Sequence, residues 1–304
     1  MAKSKTYWTL LSEELSALVV GGWNGSHDLT TAEIVPNRCD IPSLPKGISY
    51  NPNLVLTNDK KVLFCGGMDN KQCFELQEKE WVHHSNLTEN RYFAAAVTMP
   101  KGTYLFGGEG SPDTWEWLPN GSSTWKPGGS IPGEMFDAGC IVEISSSEVL
   151  LLGGYYNGQR ILKFNVETEK WTELEEKLQN VRYCHSCLSY KNSIVVSGGI
   201  DLYQYPGLWN SSEVFANKGN LALSHISYMN QARSSYSLTV AHINDQPMVL
   251  AIGGINDYDL NLMLDSIEVW DPNSKTWSLS SDLKLSEAKY SFAALSVPTH
   301  LVCP

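Results

Sequence analysis

Cysteine and histidine offer the widest range of chemistry in this chain. The seven cysteines are Cys39, Cys65, Cys73, Cys140, Cys184, Cys187 and Cys303. The segment Cys184-His185-Ser186-Cys187 superficially resembles a set of metal ligands. Residues three apart in a strand point to opposite faces, so both sulfurs cannot bind one ion, and a closed zinc site needs four ligands. We therefore expect no metal at this segment.

Motifs for nucleophilic and phosphate chemistry are absent from the sequence. No Gly-x-Ser-x-Gly elbow is present, which weakens a serine-hydrolase interpretation. No phosphate-binding loop of the form Gly-x-x-x-x-Gly-Lys-Ser/Thr occurs, and no dinucleotide fingerprint is followed by a helix. The sequence therefore predicts no catalytic residues and no cofactor.

Composition narrows the class of protein further. The 304 residues carry 22 Lys plus Arg against 33 Asp plus Glu, a formal net charge of −11, which argues against a nucleic-acid partner. No apolar run approaches the ~18 residues of a membrane helix, and Glu13 and Glu14 interrupt the apolar stretch that resembles a signal peptide. The length permits one large domain or two ordinary ones.

A short apolar run that ends in Gly-Gly recurs along the whole chain. The second glycines of the six pairs are Gly22, Gly67, Gly108, Gly154, Gly199 and Gly254. Four or five aliphatic residues stopped by two glycines are typical of a buried strand that ends in a crowded turn. Six copies, 41 to 55 residues apart, indicate a repeat architecture.

Each period contains further strand signals and no helical periodicity. A second strand candidate follows each Gly-Gly, as in TAEIV, TWEWL, SEVF and SIEVW. A turn and a tryptophan come next in four repeats, at Trp81, Trp125, Trp171 and Trp277. The helix-forming segment 171–180 stands where the other copies have an outer strand, so we expect a strand and a loop there. Four strands per period of about 40–50 residues predict an all-β, six-bladed propeller.

The order of Gly-Gly, Trp after a turn, and a basic residue before an aromatic one resembles kelch repeats. The resemblance runs from about Ala17 to about Val297 and implies one domain over 1–304 with four antiparallel strands per blade. The expected blades cover about 1–44, 45–88, 89–132, 133–178, 179–230 and 231–284, with 285–297 as a closing inner strand. Repeats one and five lack the Trp, and Met135-Phe136 replaces the basic-aromatic pair, so these blades should be less regular.

Closure of the ring has two candidate strands. The segment from Lys289 to Ala294 matches the inner strand that begins at Arg91, but the segment from Lys5 to Leu10 has the same offset from its Gly-Gly. We favour the C-terminal segment, because pairing of the two chain ends removes exposed edges.

Two cysteine pairs have a geometric rationale in such a ring. Cys65 ends one strand and Cys73 begins the next, while Cys140 and Cys187 hold equivalent positions on adjacent inner strands. Disulfides there require an oxidising compartment, and free core thiols are the alternative.

The basic residues of the basic-aromatic pairs have two interpretations. Arg91, Arg182, Arg233 and Lys289 could ring the channel mouth and hold an acidic peptide by charge-assisted hydrogen bonds. The favoured alternative is structural, with each cation tying adjacent blades through backbone carbonyls.

Residues that break the repeat are better recognition candidates, because the scaffold does not require them. We expect a partner to contact loops that contain Trp23, Asn24, His27, Tyr155, Tyr156, Tyr203, Tyr205, Asp257 and Tyr258.

The resemblance favours a non-enzymatic, soluble scaffold for a protein or peptide partner, with a monomer as the preferred state. The alternatives are a kelch-like sugar isomerase or oxidase, and a secreted lectin-like or matrix protein. Four Asn-x-Ser/Thr sequons, at Asn24, Asn86, Asn120 and Asn210, favour secretion weakly, whereas the missing signal peptide favours the cytoplasm.

Overall fold

The computed structural model describes residues 13–303, apart from 37–38, 134–135, 157, 202, 205–206, 219 and 258–261. Six antiparallel sheets follow one another along the chain and form the blades of a propeller. The prediction of an all-β, six-bladed propeller is confirmed.

The blades are numbered in chain order. Blade one contains β1 (Leu15–Val20), β2 (Ala32–Val35) and β23 (Ala293–Pro298). Blade two contains β3 (Asn53–Leu56), β4 (Val62–Cys65), β5 (Gln72–Leu76) and β6 (Trp81–Asn86). Blade three contains β7 (Ala95–Met99), β8 (Gly102–Phe106), β9 (Thr114–Pro119) and β10 (Lys126–Ser130).

The second half of the ring has the same order of strands. Blade four contains β11 (Cys140–Glu143), β12 (Glu148–Leu152), β13 (Ile161–Asn165) and β14 (Lys170–Glu173). Blade five contains β15 (Ser186–Tyr190), β16 (Ser193–Ser197), β17 (Ser211–Lys218) and β18 (Asn220–Tyr228). Blade six contains β19 (Ser237–Ile243), β20 (Gln246–Ile252), β21 (Ser266–Asp271) and β22 (Thr276–Lys284).

The ring closes through the C-terminal strand, as expected. β23 pairs with β1 from Leu15 opposite Pro298 to Val20 opposite Ala293, and forms the inner strand of blade one. The competing segment Lys5–Leu10 lies outside the described residues. In the described part of blade one the sheet has three strands, which agrees with the expected irregularity of the repeat without a tryptophan.

The C-terminus is attached to blade one by a disulfide as well as by strand pairing. The short helix α1 (Thr299–Val302) follows β23 and buries Val302. Cys303 then forms a disulfide with Cys39, across 264 residues of sequence. Among the described residues no helix is long and apolar enough to cross a membrane.

The second glycine of each pair connects one blade to the next. Its N–H donates to a carbonyl at the start of the following blade, over 2.8–3.0 Å in all six cases. The acceptors are Ile48, Arg91, Phe136, Arg182, Arg233 and Lys289, which we call the junction residues. The set is closed, since Gly254 of blade six donates to Lys289 of blade one.

Tryptophans of the outer strands contribute a second set of contacts between blades. The indole of Trp81 donates to the carbonyl of Pro42 in blade one. Trp125 and Trp277 donate to the hydroxyls of Ser85 and Ser212 in the blades that precede theirs. These buried rings therefore fill the space between blades and also satisfy their own N–H groups.

We predict that alanine at the second glycine of a pair destabilises the protein more than alanine at a positive-φ glycine with open space around it. Gly108 has φ +86° and a Cβ there would lie 2.7 Å from the Tyr92 carbonyl oxygen, whereas Gly121 has φ +69° with open space around it. Gly121→Ala should lower the free energy of unfolding by about 1–2 kcal/mol through backbone strain alone. Gly108→Ala should lose about 1–3 kcal/mol more, measured by denaturant titration. Equal losses would contradict the crowding of Gly108 against the Tyr92 backbone of its own blade.

Candidate functional site

Two sets of loops meet on one face of the ring, around the channel mouth. The loop before each inner strand lies beside the loop after each Gly-Gly, because those two strands are antiparallel neighbours. Two residues after each junction residue, the backbone takes a left-handed conformation, with φ between 49° and 62°. These six residues are Tyr50, Phe93, Ala138, Cys184, Ser235 and Ser291.

The left-handed residues are joined into a closed belt of backbone hydrogen bonds. Each of five N–H groups donates to the carbonyl of the equivalent residue in the preceding blade, and Asn51 N–H closes the belt onto the carbonyl of Ser291. The distances are 2.8–3.3 Å. The belt fixes the positions from which the surrounding side chains project, so the mouth is a rigid platform.

Aromatic side chains cover one arc of this platform. The ring of Tyr50 makes edge contacts at 6.3 Å with both Tyr92 and Phe93. Further round the arc, Tyr155 contacts Tyr183 at 5.4 Å and Tyr156 at 4.7 Å. Tyr155 and Tyr156 are 42% and 47% exposed, so much of their ring surface is open to a partner. We call the residues Tyr50, Tyr92, Phe93, Tyr155, Tyr156 and Tyr183 the aromatic arc.

Two carboxylates lie between the halves of the aromatic arc. Glu109 forms a backbone bridge with Tyr92 and carries an exposed side chain. Burial raises the pKa of Tyr92 to about 12, with a further contribution from its hydrogen bond to Glu109. Burial, and then repulsion by Glu109, raises the pKa of the Asp137 carboxyl to about 6. Among the residues that the structure describes, the buried Oδ1 of Asp137 has no hydrogen-bond partner, so this side of the mouth has an unsatisfied negative group.

The four repeat cations do not lie at the mouth surface. Arg91, Arg182, Arg233 and Lys289 are 0–1% exposed, and each pairs with a glutamate on the third strand of its own blade. The partners are Glu116 at 2.6 Å, Glu213 at 2.9 Å, Glu268 at 3.2 Å and Glu33 at 2.7 Å, in the same order. The prediction that these four residues contact a partner is therefore wrong, because a partner at the mouth cannot reach their buried side chains.

The structural alternative describes these cations better, with one difference. Arg91 donates from Nη1 to the carbonyls of Gly107, Ser111 and Thr114, all within blade three. The side chain thus braces its own blade, and the link to the preceding blade is made by the Arg91 carbonyl. The interpretation in which these four residues ring the mouth and hold an acidic peptide is wrong, because their side chains are buried in ion pairs.

Cation and carboxylate are replaced together in the remaining two blades. Blade two has Ile48 at the junction and Phe74 at the glutamate position, opposite Phe64. Blade four has Phe136 and Leu162, opposite Leu151. All four side chains are buried. A lone buried charge is costly, so the two positions are either both charged or both apolar.

The predicted loop residues are distributed around the rest of the mouth. Trp23 bridges to Tyr290, and the Oδ1 of Asn24 accepts hydrogen bonds from Ser26 and His27. Tyr203 is 84% exposed, and His27 is also exposed. The Asp257 carboxylate accepts a hydrogen bond from the backbone of Leu262. Tyr205 and Tyr258 lie outside the described residues.

Both predicted cysteine pairs are joined as disulfides, Cys65 with Cys73 and Cys140 with Cys187. Cys184 remains a buried thiol, and burial raises its pKa to about 12. His185 Nε2 lies 3.2 Å from the Cys140 sulfur. In the part of the chain that the structure describes, no group of three or more His, Cys, Asp or Glu side chains is arranged to hold a metal ion.

Comparison with known proteins supports the fold and leaves the family open. No family model matches the chain, and no curated protein matches it. A solved structure described as the structure of YjhT is similar with a TM-score of 0.69 and 13% identity, over 84% of this chain and 89% of that one. Identity this low shows a shared fold only, so the kelch assignment stays a prediction.

We predict strong coupling between Arg182 and Glu213. Arg182→Met and Glu213→Leu should each lower the free energy of unfolding by about 3–5 kcal/mol, because each leaves an unpaired buried charge. The double variant should lose about 1–3 kcal/mol less than the sum of the two single losses. Two apolar residues can occupy these positions together, as Phe136 and Leu162 do in blade four. Denaturant titration of the four proteins gives this coupling, and additive losses would contradict the buried-pair interpretation.

The raised pKa of Asp137 predicts a dependence of stability on pH. Between its ordinary value of 3.8 and about 6, the folded chain binds more protons than the unfolded chain, so this carboxyl lowers stability as the pH rises. Asp137→Asn removes that contribution. The unfolding free energy of the variant, relative to the wild type, should rise by about 1–2 kcal/mol from pH 4 to pH 7. A difference that is flat with pH would contradict the burial of this carboxyl.

Proposed function

We propose that the chain is a non-enzymatic binding module that holds a protein or peptide partner at the channel mouth. The observation that carries this proposal is the aromatic arc, in which exposed and half-buried rings contact one another on a closed backbone belt. Tyrosine contributes large contact area at small entropic cost, and rigid placement lowers the cost of association further.

The charges beside the aromatic arc favour a partner with basic side chains. Glu109 lies next to Tyr92, and Asp137 lies next to Tyr155. The exposed Asp69 adds to the negative electrostatic potential at Tyr92. A lysine or arginine there would meet carboxylates and ring faces at once, and both attract a cation. The acidic partner considered from sequence loses its basis, because the cations assigned to it are buried in ion pairs.

We predict that a short oligo-arginine peptide binds the full chain and that an oligo-glutamate peptide of equal length does not. Binding should weaken as salt is added, since charge attraction contributes to it. The replacement of both Tyr155 and Tyr156 by Ser should weaken binding about tenfold, as expected for loss of an aromatic anchor. Isothermal titration calorimetry measures these affinities.

Tyr228 supplies a matched control for this experiment. It is 63% exposed but lies at the end of β18, the outermost strand of blade five. Tyr228→Ser should leave the affinity unchanged. Equal weakening by both variants, or binding of the acidic peptide alone, would contradict the placement and the charge of the proposed surface.

A further inference from the structure

The four Asn-x-Ser/Thr sequons lie outside the aromatic arc, and the structure distinguishes them by the contacts of their side chains. Such tripeptides accept N-linked glycans when they are exposed to glycosyl transfer in the secretory pathway. The acceptor atom is the side-chain amide nitrogen Nδ2. A glycan on a folded protein therefore requires an Nδ2 that points into solvent and is not needed by the fold.

The disulfides supply an independent reason to consider this modification. Six of the seven cysteines are paired, and each of the three disulfides joins segments that the fold already places together. Disulfides persist in oxidising compartments and are rare in the reducing cytosol. In eukaryotic cells the same compartment that forms them also attaches N-linked glycans.

Three of the sequons use their Nδ2 inside the fold. Asn210 is half-buried and donates from Nδ2 to the Met229 carbonyl at 3.1 Å. Asn120 donates to the Pro100 carbonyl at 2.7 Å, and Asn24 donates to Glu287 at 3.2 Å. A glycan at any of these positions would compete with a contact that holds two segments together.

Asn86 differs from the other three in the contacts of its side-chain amide. Its side chain is exposed at the end of β6, the edge strand of blade two. The Oδ1 atom accepts a hydrogen bond from His83 at 3.0 Å, and Nδ2 makes no hydrogen bond to any residue that the structure describes. The backbone around it is held firmly, because Leu87 is buried and its N–H donates to the Lys71 carbonyl at 2.7 Å.

We propose that Asn86 is an N-glycosylation site. In the transfer, Nδ2 attacks the anomeric carbon of an oligosaccharide carried on a polyprenyl diphosphate. The carbon–nitrogen bond forms as the carbon–oxygen bond to the diphosphate breaks, the amide loses one proton, and the lipid diphosphate leaves. The contact between Oδ1 and His83 survives, and the glycan covers the outer edge of the sheet, where unpaired backbone groups would otherwise invite association.

Glycosylation at Asn86 is tested with the full chain, expressed behind a cleavable secretion leader in animal cells. The wild type should shift in mobility on treatment with peptide-N-glycosidase, and Asn86 should be recovered as aspartate in the peptide map. Asn86→Gln and Thr88→Ala should both lose the glycan, whereas Thr88→Ser should keep it. The alanine variant preserves the hydrogen bond from the Thr88 backbone to Glu116, so it should fold even if the Asn86 variant does not.

Two results would overturn the proposal. One is a glycan that persists in both Asn86→Gln and Thr88→Ala, because it would then be attached elsewhere. The other comes from the chain isolated from its native source, if the peptide that contains Asn86 is recovered unmodified before glycosidase treatment. Recovery of the native peptide only after conversion of Asn86 to aspartate supports the proposal.

Discussion

The hydrogen bond from the second glycine of each pair to the junction carbonyl of the next blade is the contact on which this fold depends. The glycine must adopt positive φ and must approach a neighbouring backbone closely, so no other residue serves well there. The junction residue offers its carbonyl to the preceding blade and its side chain to its own blade. Association between blades and order within a blade are therefore coupled at a single residue.

The buried ion pairs follow from this arrangement. The junction side chain enters the interior, where it must satisfy three carbonyls around Gly107 in blade three and equivalent carbonyls in blades five and six. An arginine does this with its several donors, but its charge then requires a carboxylate, which the third strand supplies. Where Phe136 replaces the arginine, Leu162 replaces the glutamate, and packing takes over the same position.

The fold could be predicted from sequence because its signals are local. A Gly-Gly after an apolar run, a turn and a tryptophan each occupy a few residues and repeat in order. The ion pairs were missed because their members are far apart in sequence and meet only when the blade forms. The three Arg–Glu pairs span 25 to 35 residues, and Lys289 and Glu33 are 256 residues apart. The four glutamates stand inside TAEIV, TWEWL, SEVF and SIEVW, and that recurrence was the available signal. Tyr50 was missed because the apolar Ile48 stands before it, and the Cys39–Cys303 pair depends on how the ring closes.

The same constraint explains why the mouth is suited to recognition. Its backbone belt is closed, so the loops that rise from it can vary without loss of the ring. Binding of a basic partner on the aromatic arc can be measured by hydrogen exchange of the full chain with and without the oligo-arginine peptide. We predict slower exchange at residues 50–51, 92–93, 109–111, 137–139 and 155–156, with β6 and β18 unchanged. Protection on the outer strands, with none around the mouth, would contradict binding on the aromatic arc.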